Sequence, residues 1–148
     1  MAAKFDAFQA GEGHAMKDAG NRLPAAPEGW HTVTPRIVAR EAERLVEFLT
    51  RVFGAAGEYR HDRPSEIRLG DSLIMISDAG ARSPMAAFLY VYVDDTDGTY
   101  RRALEAGARS IEEPAVQPYG DRRGMVEDEW GNTWQIATRQ HAASAFSP

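Results

Sequence analysis

The sequence predicts an α+β fold in which two pseudo-symmetric βαβββ modules form one curved, mixed sheet. The chain has 148 residues, of which 43% are hydrophobic, so it is long enough for one domain with a substantial core. Stretches with strand and helix periodicity alternate along it. Their order in the first half returns in the second with a period of about fifty residues, and two copies are too few for a propeller or a stack.

The first module follows residues 1–30, which are rich in Gly, Ala and Pro and have no sustained hydrophobic period. We interpret them as an extension, with a short helix around Lys4 to Gln9. A β-rich run from Thr32, TVTPRIVA, predicts the first strand. The run EAERLVEFLTRVFG predicts a helix that Gly54 closes. Its apolar positions at helical spacing are Leu45, Phe48, Leu49 and Val52.

Short strands complete the first module. Two apolar runs, EIRLG and SLIMIS, are separated by Gly70 and Asp71, a dipeptide that favours a tight hairpin. A further strand is expected near Gly57 to Arg60. The first module therefore has the order βαβββ.

The second module repeats this order. FLYVYVDD predicts a strand, and TDGTYRRALEAG a helix with Thr96 or Asp97 as its N-cap and Gly107 just past its end. Three strands follow, in RSIEE, GDRRGMVED and NTWQIAT, with the turn DEWGN between the last two.

The composition excludes several classes of protein. The absence of cysteine excludes disulfides, thiol nucleophiles and thiolate metal sites. With a formal charge of -5 and dispersed basic residues, the sequence predicts no basic patch that would bind nucleic acid or an anionic membrane. A small molecule or a protein is therefore the expected partner. Without a long apolar run or a signal-like start, a cytoplasmic protein is expected. No G-x-S-x-G, phosphate-binding loop or H-E-x-x-H motif occurs.

Four segments together resemble one family. They are HTVTPRIVAREAERLVEFLTRVFGA, EIRLGDSLIMISD, and LYVYVDDTDGTYRRALEAGA with GDRRGMVEDEWGNTWQIAT. They are similar to the PhnB-like branch of the vicinal-oxygen-chelate superfamily, which includes glyoxalases and bleomycin-resistance proteins. The resemblance covers residues 31–139, in modules 31–80 and 86–139, with 140–148 as a tail. It implies that the mixed sheet curls into an open cup with the ligand site inside, and that the protein is a homodimer.

In metal-dependent members, the ligands lie on the first and last strand of each module. The resemblance puts those positions at Thr34, Phe88, Ile74 and Gln135, none of which is a strong metal ligand. A shift of one or two residues reaches no better set, and the four histidines are scattered along the chain. We therefore expect no metal ion and no cofactor.

Other residues are expected to line the cup and bind a ligand. Alternation puts Arg36 on the same strand face as Thr34, where it pairs with a ligand carboxylate or phosphate or, alternatively, with an internal acid such as Glu127. The remaining candidates are Phe88, Tyr90 and Tyr92 as an aromatic wall, Gln135 on the opposing strand, and Tyr119, Asp121, Arg122 and Arg123 at the cup mouth. For each of these residues the alternative is a purely structural role, either in the core or at the surface.

Glu127 is the only acid or base that we expect near the cup. Because it directly precedes the turn DEWGN, the alternative is a structural role, in which it closes that turn or forms a surface salt bridge. The leading hypothesis is a metal-free protein that binds a hydrophobic or aromatic ligand, with an acidic or carbonyl group near Arg36. The alternative is a metal-independent isomerase or lyase acting on a carbonyl compound with Glu127 as the base. A metal-dependent glyoxalase or dioxygenase is the least favoured hypothesis, because the four expected ligand positions hold no strong metal ligand.

Overall fold

The computed structural model describes residues 22–140, and the short helix expected around Lys4 to Gln9 lies outside them. The first module contains three strands and one helix. They are β1 (Arg36–Ala39), α1 (Ala42–Phe53), β2 (Ser65–Leu69) and β3 (Ser72–Asp78). The second module contains four strands and one helix. They are β4 (Phe88–Tyr92), α2 (Thr96–Glu105), β5 (Arg109–Val116), β6 (Asp121–Glu127) and β7 (Thr133–Arg139).

The predicted fold class, α+β with two related modules that form a cup, is confirmed. The cup is made of two hydrogen-bonded sheets instead of the one continuous sheet expected: a first sheet of order β1-β3-β2 and a second sheet of order β4-β7-β6-β5. In each sheet the first strand of the module pairs in parallel with its last strand, and all other strand pairs are antiparallel. A single antiparallel bridge between Val38 and Met85 ties the segment before β4 to the first sheet.

The structure corrects the bounds of the first module. Its first strand starts at Arg36 instead of Thr32, because residues 32–35 lie before the paired stretch. The additional strand expected near Gly57 to Arg60 is reduced to one isolated bridge, between Ala56 and Arg68. The described part of this module is therefore βαββ.

The helix caps are partly as predicted. Gly54 closes α1 with a left-handed φ of 65°, and its N–H donates to the carbonyls of the last turn. The N-cap of α2 is Asp95, whose carboxylate accepts from the Gly98 N–H at 3.0 Å, so the expectation of Thr96 or Asp97 was wrong. Thr96 instead donates to the Arg122 carbonyl at 3.0 Å, because it is already inside the first turn and faces β6.

One hydrophobic core joins the two modules. It contains the inward side of α1, with Leu45 and Leu49, and the helix-facing residues of both sheets, such as Ile76 and Trp134. The ring of Phe53, at the end of α1, packs on Trp134 of β7 with ring centroids 5.2 Å apart. The helices thus cover one face of each sheet, and the other face is left open. No helix within residues 22–140 is long and apolar enough to cross a membrane.

Candidate functional site

An aromatic wall lies on the open face of the second sheet. Side chains alternate along β4, so Leu89 and Val91 pack towards the core while Phe88, Tyr90 and Tyr92 point the other way. Phe88 and Tyr92 are 66% and 64% exposed, and Tyr90 is 36% exposed. The aromatic wall, defined as Phe88, Tyr90 and Tyr92, therefore presents ring surface to solvent, as the alternation predicted.

A buried carboxylate stands at the base of this wall. Asp121, at the start of β6, is only 3% exposed although it lies on the same sheet face. Its Oδ2 accepts hydrogen bonds from the Tyr90 hydroxyl at 2.6 Å and from the Tyr92 hydroxyl at 2.8 Å. The two tyrosine rings, tilted with centroids 5.3 Å apart, cover it. These phenols compensate for part of the cost of removing the carboxylate from water.

The hydrogen bonds extend from this carboxylate to the β5–β6 turn. The Tyr119 hydroxyl lies 2.9 Å from that of Tyr90, and Arg123 Nη1 donates to the Tyr119 oxygen at 3.2 Å. The other end of the guanidinium, Nη2, donates to Glu112 at 2.6 Å. We call Tyr90, Tyr92, Tyr119, Asp121 and Arg123 the phenol–carboxylate cluster.

The surroundings of Tyr90 and Tyr92 raise the pKa values of both phenols. Burial raises the pKa of Tyr90 above its ordinary value, and its hydrogen bonds to Asp121 and Tyr119 raise it further. The hydrogen bond to Asp121 also raises the pKa of Tyr92, aided by burial and by the charge of that carboxylate. A phenol in this state does not serve as a base near neutral pH. The arrangement is therefore suited to binding more than to proton abstraction.

Strand pairing brings these residues together. Because β7 lies between β4 and β6, Gln135 is paired with Tyr90 on one side and with Met125 on the other. Gln135 is half-buried on the open face, while its neighbours Trp134 and Ile136 are buried against the helices, as expected. The predicted position of Gln135 beside the aromatic wall follows from this register.

The mouth residues prove to be mostly strand residues. A strand was expected over GDRRGMVED, and Arg122 and Arg123 do lie within β6, so only residues 117–120 connect the strands. Arg122 points to the helix side and pairs with Asp97 of α2 at 3.1 Å. Arg123 and Tyr119, both predicted as ligand-binding, lie in the phenol–carboxylate cluster.

Two other predicted ligand-binding residues belong to the first module. Thr34 precedes β1 and is partly exposed. Arg36 is exposed at the start of β1, where Nη2 donates to the Ser77 hydroxyl of β3 at 3.1 Å. The alternative partner suggested for Arg36, Glu127, is instead paired with Arg109.

The alignment of Ile74 with the open cup face was wrong by one residue. Ile74 is 3% exposed and belongs to the core, opposite the fully buried Ile67 of β2. Its neighbour Met75 occupies the outward position, since it is paired with Arg36. A slip of one residue in the alignment is enough to cause this error, because it exchanges the two faces of a strand.

Glu127, the candidate catalytic base, lies at the far end of β6. Its side chain is 38% exposed and forms an ion pair with Arg109 of the edge strand β5 at 3.0 Å. Its catalytic role stays a prediction. The geometry favours a surface role, because the carboxylate lies at the rim of the sheet in an ion pair that is exposed on both sides.

No group of three His, Asp or Glu side chains that could hold a metal ion occurs within residues 22–140. His31 and His61 are exposed, and the other two histidines, His14 and His141, lie outside the described residues. The expectation of a metal-free site stays a prediction.

Sequence reasoning missed the central role of Asp121, which it assigned to the mouth. It also missed Glu112, which holds Arg123. The signal for Asp121 was present, because period-two alternation along β6 puts Asp121 and Arg123 on one face. The missing information was the β4-β7-β6 order, which brings that face next to the tyrosines.

Comparison with known proteins identifies the family. The model of the Glyoxalase/Bleomycin resistance protein/Dioxygenase superfamily matches residues 30–136. An uncharacterized protein of Mycobacterium bovis, Mb0911c, is 26% identical over 122 residues, which cover 70% of this chain and 80% of the relative. The match to Rv0887c, an uncharacterized protein of Mycobacterium tuberculosis, is also 26% identical over 122 residues and covers 70% of this chain and 72% of that protein.

Solved structures share the fold at low sequence identity. TioX from Micromonospora sp. ML1 has a TM-score of 0.61 and 22% identity, with 76% of this chain and 98% of that chain covered. The fosfomycin resistance protein FosX from Mesorhizobium loti has a TM-score of 0.57 and 19% identity, with 76% and 93% covered. These likenesses concern the fold, and fold alone does not assign an activity.

Proposed function

The chain belongs to the glyoxalase/bleomycin resistance protein/dioxygenase superfamily, and we propose that within it this protein binds a small aromatic molecule without a metal ion. The observation that carries the proposal is the exposed aromatic wall above the buried Asp121. Exposed rings next to fixed polar groups are typical of sites that stack a flat ligand and orient it.

Arg36 supplies the second anchor of the proposal. Its guanidinium is exposed and donates to a neutral hydroxyl, that of Ser77. A carboxylate would accept from a guanidinium at two points and would be a stronger partner than a serine hydroxyl. We therefore expect the acidic or carbonyl group of the ligand to lie near Arg36.

The second copy in the expected homodimer would complete the site. Phe88 and Tyr92 are both about two-thirds exposed in one chain, whereas ligand pockets bury most of the ligand surface. An opposing surface from a second chain would enclose a ligand that lies on the aromatic wall. A symmetric dimer is the most common arrangement for small proteins of this type.

The binding proposal is tested by thermal unfolding in the presence of bleomycin and of aromatic carboxylic acids. A ligand at one hundred times its Kd adds about 2.7 kcal/mol to the free energy of unfolding, which is a readily measured shift in Tm. Tyr92→Ala should abolish the shift. Val33→Ala, which removes another exposed side chain, should preserve it. Fosfomycin, which has no aromatic ring, should produce no shift.

The metal-free part of the proposal has its own test. Protein purified without chelator should contain no stoichiometric zinc, nickel, manganese or iron by elemental analysis. One full equivalent of any of these metals would overturn it. If binding to every aromatic compound in the thermal screen is absent, the binding proposal itself fails.

A further inference from the structure

We propose that Asp121 determines which ligands the aromatic wall accepts. It draws the phenol protons towards itself, so the phenol oxygens are left to accept hydrogen bonds from a ligand. The wall should therefore bind flat molecules that donate N–H hydrogen bonds. The inference rests on the proposed function and names the ligand chemistry of the same site. It concerns the polarity of the hydrogen bonds, which neither the family nor the fold specifies.

The directions of the hydrogen bonds follow from counting protons. Each phenol has one proton to donate and a carboxylate oxygen accepts, so Tyr90 and Tyr92 are the donors in their bonds to Oδ2. Since the proton of Tyr90 is then committed, Tyr119 must donate in the bond between the two hydroxyls. Arg123, which can only donate, gives to the Tyr119 oxygen. The hydroxyl protons of all three tyrosines in the phenol–carboxylate cluster therefore point along the hydrogen bonds that lead to Asp121.

This order leaves oxygen lone pairs on the outward side. Within residues 22–140, the Tyr92 oxygen donates to Asp121 and receives no hydrogen bond itself, and its side chain is 64% exposed. A hydrogen bond to a carboxylate is strong, and it increases the electron density on the phenol oxygen that donates it. A ligand carbonyl or ether would have to compete with Asp121 for the proton. A ligand N–H meets an oxygen that is ready to accept.

Charges around the cluster favour a neutral donor over a simple cation. Arg139 of β7 is paired in register with Asp121 across the sheet, and its charge acts on Tyr92. Arg123 and Glu112 form an ion pair at 2.6 Å and so contribute little net field. The selectivity we infer therefore comes from hydrogen-bond direction, and N–H groups of flat heterocycles match it.

The experiment compares indole with benzofuran, which have the same shape but differ in an N–H donor and an oxygen acceptor. Binding to the full-length chain is followed by NMR of ring-labelled tyrosine, of which the chain has five. Indole should bind about three- to tenfold more tightly than benzofuran, the value of one hydrogen bond. The readout is the ratio of the two dissociation constants, measured at the resonances of Tyr90 and Tyr92.

Variants separate the ordered phenols from general hydrophobic affinity. Tyr92→Phe removes an exposed acceptor without disturbing the core, and Asp121→Asn frees phenol protons; both should bring the ratio towards one. Tyr59→Phe is the matched control, because Tyr59 also donates to a carboxylate, that of Asp78, but lies outside the cluster. It should leave the ratio unchanged.

Failure of the inference differs from failure of the proposed function. If both probes perturb Tyr90 and Tyr92 with equal affinity, or Tyr92→Phe leaves the ratio unchanged, the inferred polarity is wrong while binding at the aromatic wall stands. If neither probe perturbs these tyrosines at millimolar concentration, both proposals are overturned. Since Tyr92→Phe leaves the Tyr90 hydroxyl as a donor to Asp121, the test does not depend on whether Asp121→Asn folds.

Discussion

At the scale of single residues, the buried Asp121 explains why the aromatic wall has a fixed chemistry. An isolated carboxylate at 3% exposure would be costly, and two phenol donors make it tolerable. The same bonds fix the hydroxyls of Tyr90 and Tyr92. Two of the three rings of the aromatic wall thus have hydroxyl protons that are already committed within the protein.

We predict that these phenols ionise late in an alkaline titration followed by ultraviolet absorbance. An ordinary tyrosine has a pKa of about 10. The pKa values of Tyr90 and Tyr92 are raised, and the hydrogen bond to Asp78 raises that of Tyr59 to about 12. In Asp121→Asn, Tyr90 and Tyr92 should ionise nearer pH 10 while Tyr59 does not change. A wild-type titration in which all phenols ionise together near pH 10 would contradict the cluster.

The same pKa values set a pH dependence of stability. Below about pH 10 the folded and unfolded chains both hold these phenol protons, so the stability from the hydrogen bonds is complete. Above it the unfolded chain releases protons that the folded chain keeps. The free energy of unfolding should therefore fall as the pH rises from about 10 towards 12, and urea titrations at several pH values measure this. Tyr59→Phe should make the fall less steep.

The candidate base Glu127 is also best judged as a single residue. Its ion pair with Arg109 is exposed on both sides, so Glu127→Gln should change the free energy of unfolding by no more than about 0.5 kcal/mol. Aromatic ligands should bind the variant as they bind the original chain. If Glu127→Gln instead abolished turnover of a carbonyl compound without weakening its binding, the isomerase or lyase hypothesis would replace the one proposed here.

At the scale of elements, the sequence predicted which helices and strands exist better than it predicted where they begin and end. Both helices and the Gly70–Asp71 hairpin were confirmed, because helical period and turn residues are local signals. The cap at Asp95 was displaced by one residue, and the strand near Gly57 shrank to a bridge. The pairing of Tyr90 with Gln135, and hence the site, depends on long-range register, which a single sequence does not encode locally.

A prediction at this scale concerns Gly57, which follows the isolated bridge between Ala56 and Arg68. Gly57 has a φ of 128°, and a Cβ there would lie 2.4 Å from the Glu66 carbonyl oxygen. Gly57→Ala should lower the free energy of unfolding by about 2 kcal/mol, through backbone strain and this clash. Gly70→Ala is the control: its φ of 58° is also left-handed, but nothing lies within 4 Å, so about 1 kcal/mol is expected. Equal losses in urea unfolding would mean that the close approach does not matter.

At the scale of the whole molecule, the two modules are locked on their helical side. The guanidinium of Arg102, on α2, donates to the Val52 carbonyl of α1 at 3.1 Å, and Phe53 packs on Trp134. The repeat in the sequence predicted two modules, and the single shared core explains why they form one domain. With the helical faces joined, the open sheet faces remain available to a ligand or a second chain.

The last prediction concerns the oligomeric state. If a second copy covers the aromatic wall, sedimentation equilibrium should give twice the chain mass, and Phe88→Asp should reduce it to one chain, because a carboxylate in an apolar interface is strongly unfavourable. Phe88 is 66% exposed in one chain, so the variant should keep its circular dichroism spectrum. Glu47→Lys, a charge reversal on the exposed side of α1, should leave the dimer intact. A wild-type monomer would mean that the ligand itself, or another protein, covers the wall, whereas a Phe88→Asp dimer would put the interface elsewhere and leave the wall open for a ligand.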